Sequence, residues 1–264
     1  MSEPGTQPSA QASIDGTRLS VAAYLEHLDT DVEALLASAT DLDRDVPSCP
    51  GWTVRDLLSH VIGVYRHKSE AMRTDAAPVQ RGEDDWGVLR EGEDPRAALR
   101  EAYAELRALL TAREPSATTW TWWPGEQTVG FWVRRMAQET AVHRWDGEAA
   151  AYGVEGASGI DDDLADDGID ELLGWMRWDW TEVPQPAAAG QQVLVSTGEH
   201  AWTLTLEPTA VRVEGGAAEA SALLAGDASS VLLHLWGRPG QDVATGGDSE
   251  ALALLRERLA MAAS

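Results

Sequence analysis

Up to about residue 180, apolar residues recur every three or four positions, the spacing of an α-helix that buries one face. Pro, Gly and Asp are concentrated between these periodic segments, and such residues interrupt helices. Thr53 and Asp56 form a capping pattern before one segment, and Pro95 suits the first turn of another. The pattern predicts an antiparallel helical bundle. Its helices are expected over residues 20–39, 53–73, 95–112, 128–152 and 160–180.

Beyond a Pro- and Ala-rich stretch at 183–190, the apolar period changes to two, which is typical of β-strands. Strands of an antiparallel sheet are predicted over residues 192–196, 201–206 and 210–213. Two further helical stretches follow at 227–236 and 249–262. Together these elements predict a small α+β domain.

The predicted fold class is α+β with two domains. The helical bundle takes residues 19–184, and the smaller α+β domain takes residues 185–264. Residues 1–18 are rich in Ser, Gln, Pro, Gly and Ala, without a basic start or an apolar run, so we expect a disordered tail rather than a secretion signal. No apolar stretch approaches the length of about 20 residues that spans a bilayer.

Acidic residues outnumber basic ones by 44 to 20, which gives a formal net charge of -24. A surface of that sign repels nucleic acid phosphates and anionic membranes, so we expect neither as a partner. The sole cysteine, Cys49, excludes an internal disulfide and a multi-thiolate zinc site. We expect a cytoplasmic protein that is a monomer or a small homo-oligomer.

The helix predicted over 128–152 carries polar side chains on the face that should point inward. Trp132, Met136, Glu139, His143 and Asp146 follow one another at steps of three or four and share one stripe. Burying an ionised carboxylate without a partner costs on the order of several kcal/mol. Glu139 and His143 therefore need each other, a cation or a polar cleft.

His60 is a third polar side chain on an inward face. It stands three residues after Leu57 and four before Val64, so it shares their apolar side of the helix. One interpretation is a hydrogen-bonded core histidine. The other is a metal site assembled with Glu139 and His143 between facing helices. Such a set leaves one position open, as in a catalytic zinc site, but non-haem iron uses the same ligands, so spacing does not identify the ion.

Three segments of the chain resemble the mycothiol-dependent maleylpyruvate isomerase family, in the DinB-like helical bundle superfamily. The first segment, 46–60, reads VPSCPGWTVRDLLSH, and the second, 138–146, reads QETAVHRWD. The third, 226–238, is similar to the family's C-terminal domain. The resemblance implies a DinB-like four-helix bundle followed by a sterol-carrier-like α+β domain. It also implies that His60, Glu139 and His143 bind a divalent metal, usually zinc.

The resemblance further implies a thiol cofactor and a reaction. The sulfur of mycothiol, a sugar-linked cysteine, would fill the open position, where the cation lowers the thiol pKa from about 8.5. The resulting thiolate attacks a small-molecule electrophile. In an isomerase it adds to the double bond of maleylpyruvate and leaves after rotation, whereas in an S-transferase the adduct is released.

The family also has an arginine that is thought to reach over the metal cleft, and Arg238 resembles it. This implies a catalytic role for Arg238, because its guanidinium suits a substrate carboxylate. The alternative is a helix-end arginine that interacts with the helix dipole.

Two other functions stay open from the sequence. A non-catalytic protein that sequesters a small hydrophobic molecule or drug would use some of the 12 tryptophans as pocket walls, although most are expected to pack in the core. An iron oxygenase would use the same three ligands and would require ferrous ion.

Further residues have two interpretations each. Asp146 either orients an imidazole, caps, or pairs with Arg144. Arg134 and Arg144 are expected to be solvated or structural. Cys49 is expected to be a packing thiol rather than a nucleophile, and His67 a surface residue rather than a fourth ligand. Three other histidines lack a partner at metal-ligand spacing: His27, His200 and His234.

Overall fold

The computed structural model describes Ile14 and residues 16–79 and 86–262. Their contacts divide them into two compact units. The first unit is Ser20–Ser158, and the second begins at Gly159 and also includes Ile14 and residues 16–19. The tail predicted over residues 1–18 lies mostly outside the described residues.

The first unit is an antiparallel four-helix bundle. Its helices are α1 (Val21–Ser38), α2 (Val54–Thr74), α3 (Pro95–Ala112) and α4 (Val129–Tyr152). Helix α1 packs along α4, and α2 packs against both α3 and α4. Their apolar faces meet in a core whose large side chains have no solvent exposure, including Leu28, Leu35, Leu57, Ile62, Leu106 and Trp132. Each such side chain contributes about 1.5–3 kcal/mol of hydrophobic free energy.

Local sequence explains where these helices begin. Thr53 and Asp56 form the predicted capping box, in which the Thr53 hydroxyl accepts from the Asp56 N–H and the Asp56 carboxylate accepts from the Thr53 N–H. Side chains of Ser20, Asp94 and Thr128 cap the other three helices. The helix boundaries predicted by the apolar period are therefore reproduced within a few residues.

The second unit is an α+β unit with a five-stranded sheet in the order β3-β2-β1-β4-β5. Its elements along the chain are α5 (Asp162–Trp175), β1 (Gln191–Ser196), β2 (Ala201–Glu207), β3 (Ala210–Gly215), β4 (Ala222–Ala225), α6 (Ala228–Leu235), β5 (Ala244–Gly247) and α7 (Ser249–Ala262). The three predicted strands form an antiparallel meander, with Val193 opposite Leu204. The predicted fold class is confirmed.

Two features of this unit differ from the sequence-based expectation. Strand β4 pairs parallel to β1, so the sheet is not purely antiparallel. Strands β4 and β5 have only four residues each, and β5 is half glycine, so neither has a clear apolar alternation. The division into two units also assigns helix α5 to the second unit, whereas the predicted boundary at 184 assigns it to the first.

None of the described helices is long and apolar enough to cross a membrane.

Candidate metal centre

His60, Glu139 and His143 come together inside the four-helix bundle. Helix α2 supplies His60, and α4 supplies Glu139 and His143 from successive turns. Glu139 Oε1 lies 3.3 Å from Nε2 of His60 and 3.3 Å from Nε2 of His143. The two imidazoles meet edge to face, with 5.0 Å between ring centroids. The predicted convergence of these side chains is present, and their role as metal ligands stays a prediction.

The donor atoms of this cluster fit a small divalent cation. One ligand atom from each of the three residues lies within 4.8 Å of the other two. In a tetrahedral zinc site with bonds of about 2.0–2.1 Å, ligand atoms are about 3.4 Å apart, which matches the two distances of 3.3 Å. Two imidazoles and one carboxylate also suit ferrous iron. Three protein ligands leave one position for an external donor.

Glu139 and His143 shift each other's pKa in opposite directions. Burial would raise the pKa of Glu139, but hydrogen bonds from His143 and His60, together with the charges of His143 and Arg135, hold the pKa well below its usual range. Burial would lower the pKa of His143, but hydrogen bonds to Asp146 and Glu139 and their charges raise the pKa to about 9. Without a metal, Glu139 is therefore ionised and His143 is protonated at neutral pH.

Asp146 contacts the His143 ring at Nδ1, the nitrogen that faces away from Glu139. Its carboxylate has no solvent exposure, and its Oδ2 accepts a hydrogen bond of 2.8 Å from Nδ1 of His143. This contact fixes the proton on Nδ1 and directs Nε2 toward Glu139. The contact that an orienting role of Asp146 requires is therefore present, and the role itself stays a prediction. Arg144 pairs instead with Asp31 and Glu148.

The turn before α2 provides two further contacts to Asp146. Ser48 donates a hydrogen bond of 2.5 Å to Oδ1, and the Cys49 thiol donates to Oδ2 at 3.8 Å. The turn is closed by a 3.0 Å bond from the Trp52 N–H to the Cys49 carbonyl. Gly51 within it has a φ of +86°, which glycine adopts without steric cost. No local pattern predicts that Ser48 and Cys49 reach Asp146, because these contacts depend on the path of the turn.

Three arginines of α4 are buried rather than solvated. Arg135 donates a hydrogen bond of 3.0 Å to Oε2 of Glu139, so the second oxygen of this carboxylate has its own partner. Arg134 and Arg144 are 3% and 5% exposed, so both are structural. The i, i+4 spacing of Arg135 and Glu139 is the signal that predicts their ion pair.

The remaining histidines lie outside the cluster. His67 contacts Lys68, Trp86 and Trp120, and it is not in the ligand group found among the described residues. His200 lies 3.9 Å from Asp166 in the second unit. Neither therefore serves as a fourth ligand of this cluster.

Arg238 follows α6 in the second unit. Its guanidinium donates a hydrogen bond of 2.9 Å to the Trp236 carbonyl at the end of that helix, as expected for a helix-end arginine. Arg238 also lines a cavity of about 480 Å³ within this unit, together with His234, Trp236 and Arg256. Its predicted reach toward the metal cleft stays a prediction.

Six of the twelve tryptophans are buried in the core, four are half-buried and two are exposed. Trp132, Trp175, Trp180 and Trp202 are at most 7% exposed. Trp122 and Trp178 are 37% and 45% exposed, so they are the tryptophans most available at the surface.

The fold and the site define an antiparallel four-helix bundle with an inward-facing set of two histidines and one glutamate. Residues 25–147, which include all three, match the family model of the mycothiol maleylpyruvate isomerase N-terminal domain. The family resemblance drawn from the sequence signatures is thereby confirmed.

Solved structures share the fold of nearly the whole chain. A crystal structure of the mycothiol-dependent maleylpyruvate isomerase is 14% identical, covers 87% of this chain and 95% of its own, and has a TM-score of 0.59. A histidine-to-alanine mutant of such an isomerase is 12% identical over the same shares, with a TM-score of 0.60. Comparison with curated proteins gives no significant match. At these identities the likeness shows the fold.

Proposed function

We propose that this protein is a metal-dependent enzyme that activates a low-molecular-weight thiol for attack on a small electrophile. The observation that carries the proposal is the convergence of His60, Glu139 and His143 within 4.8 Å. The family of the bundle domain supports mycothiol as the thiol. The reaction is a cis–trans isomerisation of the maleylpyruvate type or an S-transfer.

Three side chains would hold the ion, with zinc as the proposed metal. His60 and His143 offer Nε2 and Glu139 offers Oε1, while Asp146 and Arg135 hold His143 and Glu139 in place. The ion, when bound, lowers the pKa of a thiol in the remaining position, so that thiolate is present at neutral pH. The Cys49 thiol contacts Asp146, on the side of the His143 ring away from Nε2. This position supports the proposal that the reacting thiol comes from outside the chain.

The two reactions differ in the fate of one carbon–sulfur bond. In the isomerase, the thiolate adds to the activated double bond, the former double bond rotates as a single bond, and elimination returns the thiolate. In the S-transferase, a proton completes the addition and the thioether leaves. We propose Arg238 as the residue that binds the substrate carboxylate, since its planar fork matches two oxygens.

Metal content and thiol addition test this function directly. Purified protein is analysed for bound metal and then incubated with mycothiol and a panel of electrophiles that includes maleylpyruvate. We expect about one divalent ion per chain and an enzyme-dependent adduct or isomer. The variants His60→Ala and His143→Ala should lose both metal and activity, and His27→Ala, a histidine outside the cluster, should keep both.

Two outcomes would overturn the proposal. Thiol reactivity that is unchanged in His60→Ala would show that the cluster does no chemistry. Saturable binding of apolar molecules without any adduct or isomer would instead support the sequestering protein.

A further inference from the structure

The second unit contains a cavity of about 480 Å³, a volume typical of small-molecule sites. Helix α7 and the turn after α6 form its walls, and strands β4 and β5 contribute Leu224 and Thr245. All the residues that line the cavity belong to this unit, and none of them is acidic. Two arginines and a histidine are among them. The cavity therefore reverses, locally, the charge of a chain with 44 acidic and 20 basic residues.

One face of α7 forms an apolar wall of this cavity. Leu252, Leu255 and Leu259 follow one another at steps of three and four, so they share one side of the helix. Arg256 lies on the same side, four residues after Leu252. The next residue, Glu257, is not among the lining residues, and its carboxylate accepts a hydrogen bond of 2.9 Å from Gln185. This face of α7 thus combines apolar side chains with one cation.

The turn after α6 forms a second wall. The Arg238 N–H donates to the Leu233 carbonyl at 2.9 Å, and the Gly237 N–H donates to the His234 carbonyl at 2.9 Å. This pair of bonds is a Schellman motif. Gly237 has a φ of +75°, which the motif requires and glycine adopts without steric cost. Backbone bonds therefore hold this wall, including the half-buried Trp236, in a defined position.

Arg256 and His234 are the groups in the cavity that can receive an anion. Among the described residues, the exposed Arg256 guanidinium has no hydrogen bond or ion pair. Burial and the charge of Arg256 lower the pKa of His234, so its ring is neutral at pH 7 and has one N–H to donate. Arg238 donates to the Trp236 carbonyl and already has a proposed role toward the substrate. The tests below therefore leave Arg238 unchanged.

We propose that this cavity binds an organic anion with a short apolar body, of the class of medium-chain carboxylates. The Arg256 guanidinium donates to the carboxylate, and the neutral His234 ring adds a further hydrogen bond. The apolar body lies along the leucines of α7 and the Trp236 ring. The inference goes beyond the proposed function, because it uses no residue of the metal centre.

Three probes that differ only in their head group test the charge preference. Full-length protein is titrated by calorimetry at pH 7.5 with octanoate, 1-octanol and octylamine, which is a cation at that pH. The net charge of -24 favours the cation everywhere else on the surface. We expect octanoate to bind at one site, about 3- to 10-fold more tightly than octanol or octylamine. Equal affinities, or a preference for octylamine, would overturn the inference.

Substitutions at Arg256 assign the preference to the cavity. Arg256→Met should lower the affinity for octanoate about 3- to 10-fold, to that for octanol, and leave octanol binding unchanged. Arg256→Glu should reverse the preference in favour of octylamine. Arg177→Met and Arg177→Glu change an exposed arginine elsewhere in the same unit and should keep the preference of wild type. Circular dichroism establishes that each variant is folded. An Arg256→Glu variant that still prefers octanoate would reject the site.

A second measurement locates the ligand. The chain has six histidines, so their imidazole resonances can be resolved by NMR, and His234→Gln assigns that of His234. Octanoate should shift the His234 resonance and leave that of His200, which does not line the cavity, in place. The metal-centre variant His143→Ala should bind octanoate like wild type. Saturation without a shift at His234, or loss of binding in His143→Ala, would place the ligand elsewhere and reject the inference. Because binding is measured without turnover, failure of the proposed function leaves this result unaffected.

Discussion

The Asp146 carboxylate accepts a hydrogen bond of 2.8 Å from Nδ1 of His143, on the side of the ring opposite Glu139. A buried carboxylate in this position makes the imidazole a stronger donor to a cation and prevents the ring from turning. The geometry of the site therefore depends on a residue that is not itself in the ligand cluster.

Asp146→Asn should weaken metal binding without removing a ligand. The amide is neutral, so His143 loses both basicity and a fixed tautomer, and we expect the dissociation constant of zinc to rise about 10- to 100-fold. Competition with a chromophoric chelator measures this change. Asp43→Asn, an exposed substitution of the same type, should bind zinc like wild type. Equal affinities for Asp146→Asn and Asp43→Asn would mean that Asp146 only fills space.

Metal binding should release a proton from His143. Its pKa in the metal-free protein is raised to about 9 by Asp146 and Glu139, against burial, so the ring is protonated at pH 7 and must lose that proton to bind a cation. Apparent zinc affinity should therefore rise about tenfold per pH unit between pH 7 and 8.5 and level off above pH 9. Calorimetry in buffers of different ionisation enthalpy should show about one proton released. A binding enthalpy independent of the buffer would contradict this.

Thr53→Ala should destabilise the protein at the start of α2. The substitution removes the hydroxyl acceptor of the capping box, and we expect a loss of about 0.5–2 kcal/mol in the free energy of unfolding. Urea denaturation of both proteins provides the comparison. Thr30→Ala is the control, because its hydroxyl only bonds a carbonyl of its own helix and should change stability by less than about 0.5 kcal/mol.

Gly147→Ala should disturb the contact between α1 and α4. A Cβ at Gly147 would lie 2.7 Å from Leu35 Cδ1 and 2.8 Å from Ser38 Oγ, closer than side chains approach without a shift. We expect a destabilisation of about 1–3 kcal/mol, seen as a lower thermal midpoint. Gly246→Ala meets nothing within 4 Å and should leave the midpoint almost unchanged. If both variants melt like wild type, the two helices are free to separate slightly.

The helices were predictable because most of them bury one face and begin at a clear cap. The capping box of α2 and the apolar stripe through Leu57 place its start and its inner face directly. Strands β4 and β5 were not predictable in this way, because a strand of four residues has only two inward positions and shows no clear apolar period. The parallel pairing of β4 with β1 depends on contacts distant in sequence, which a local period does not encode.

The site was predictable only in part. The spacing of His60, Glu139 and His143 placed each on an inward face, and the helices brought them together. Helix α4, however, is buried on nearly every side, so its period does not separate Arg135 from the core. The contacts of Ser48 and Cys49 with Asp146 depend on the path of the turn before α2, which a local period does not encode.

The single sulfhydryl of the chain lies 3.8 Å from the carboxylate that holds His143. Whatever moves His143 also changes the surroundings of Cys49, so its rate of alkylation becomes an internal reporter of events at the cluster. The mass of one peptide suffices as the readout, since no other thiol competes for the reagent. The protein thus carries its own probe for titrating the site, without an introduced dye or tag.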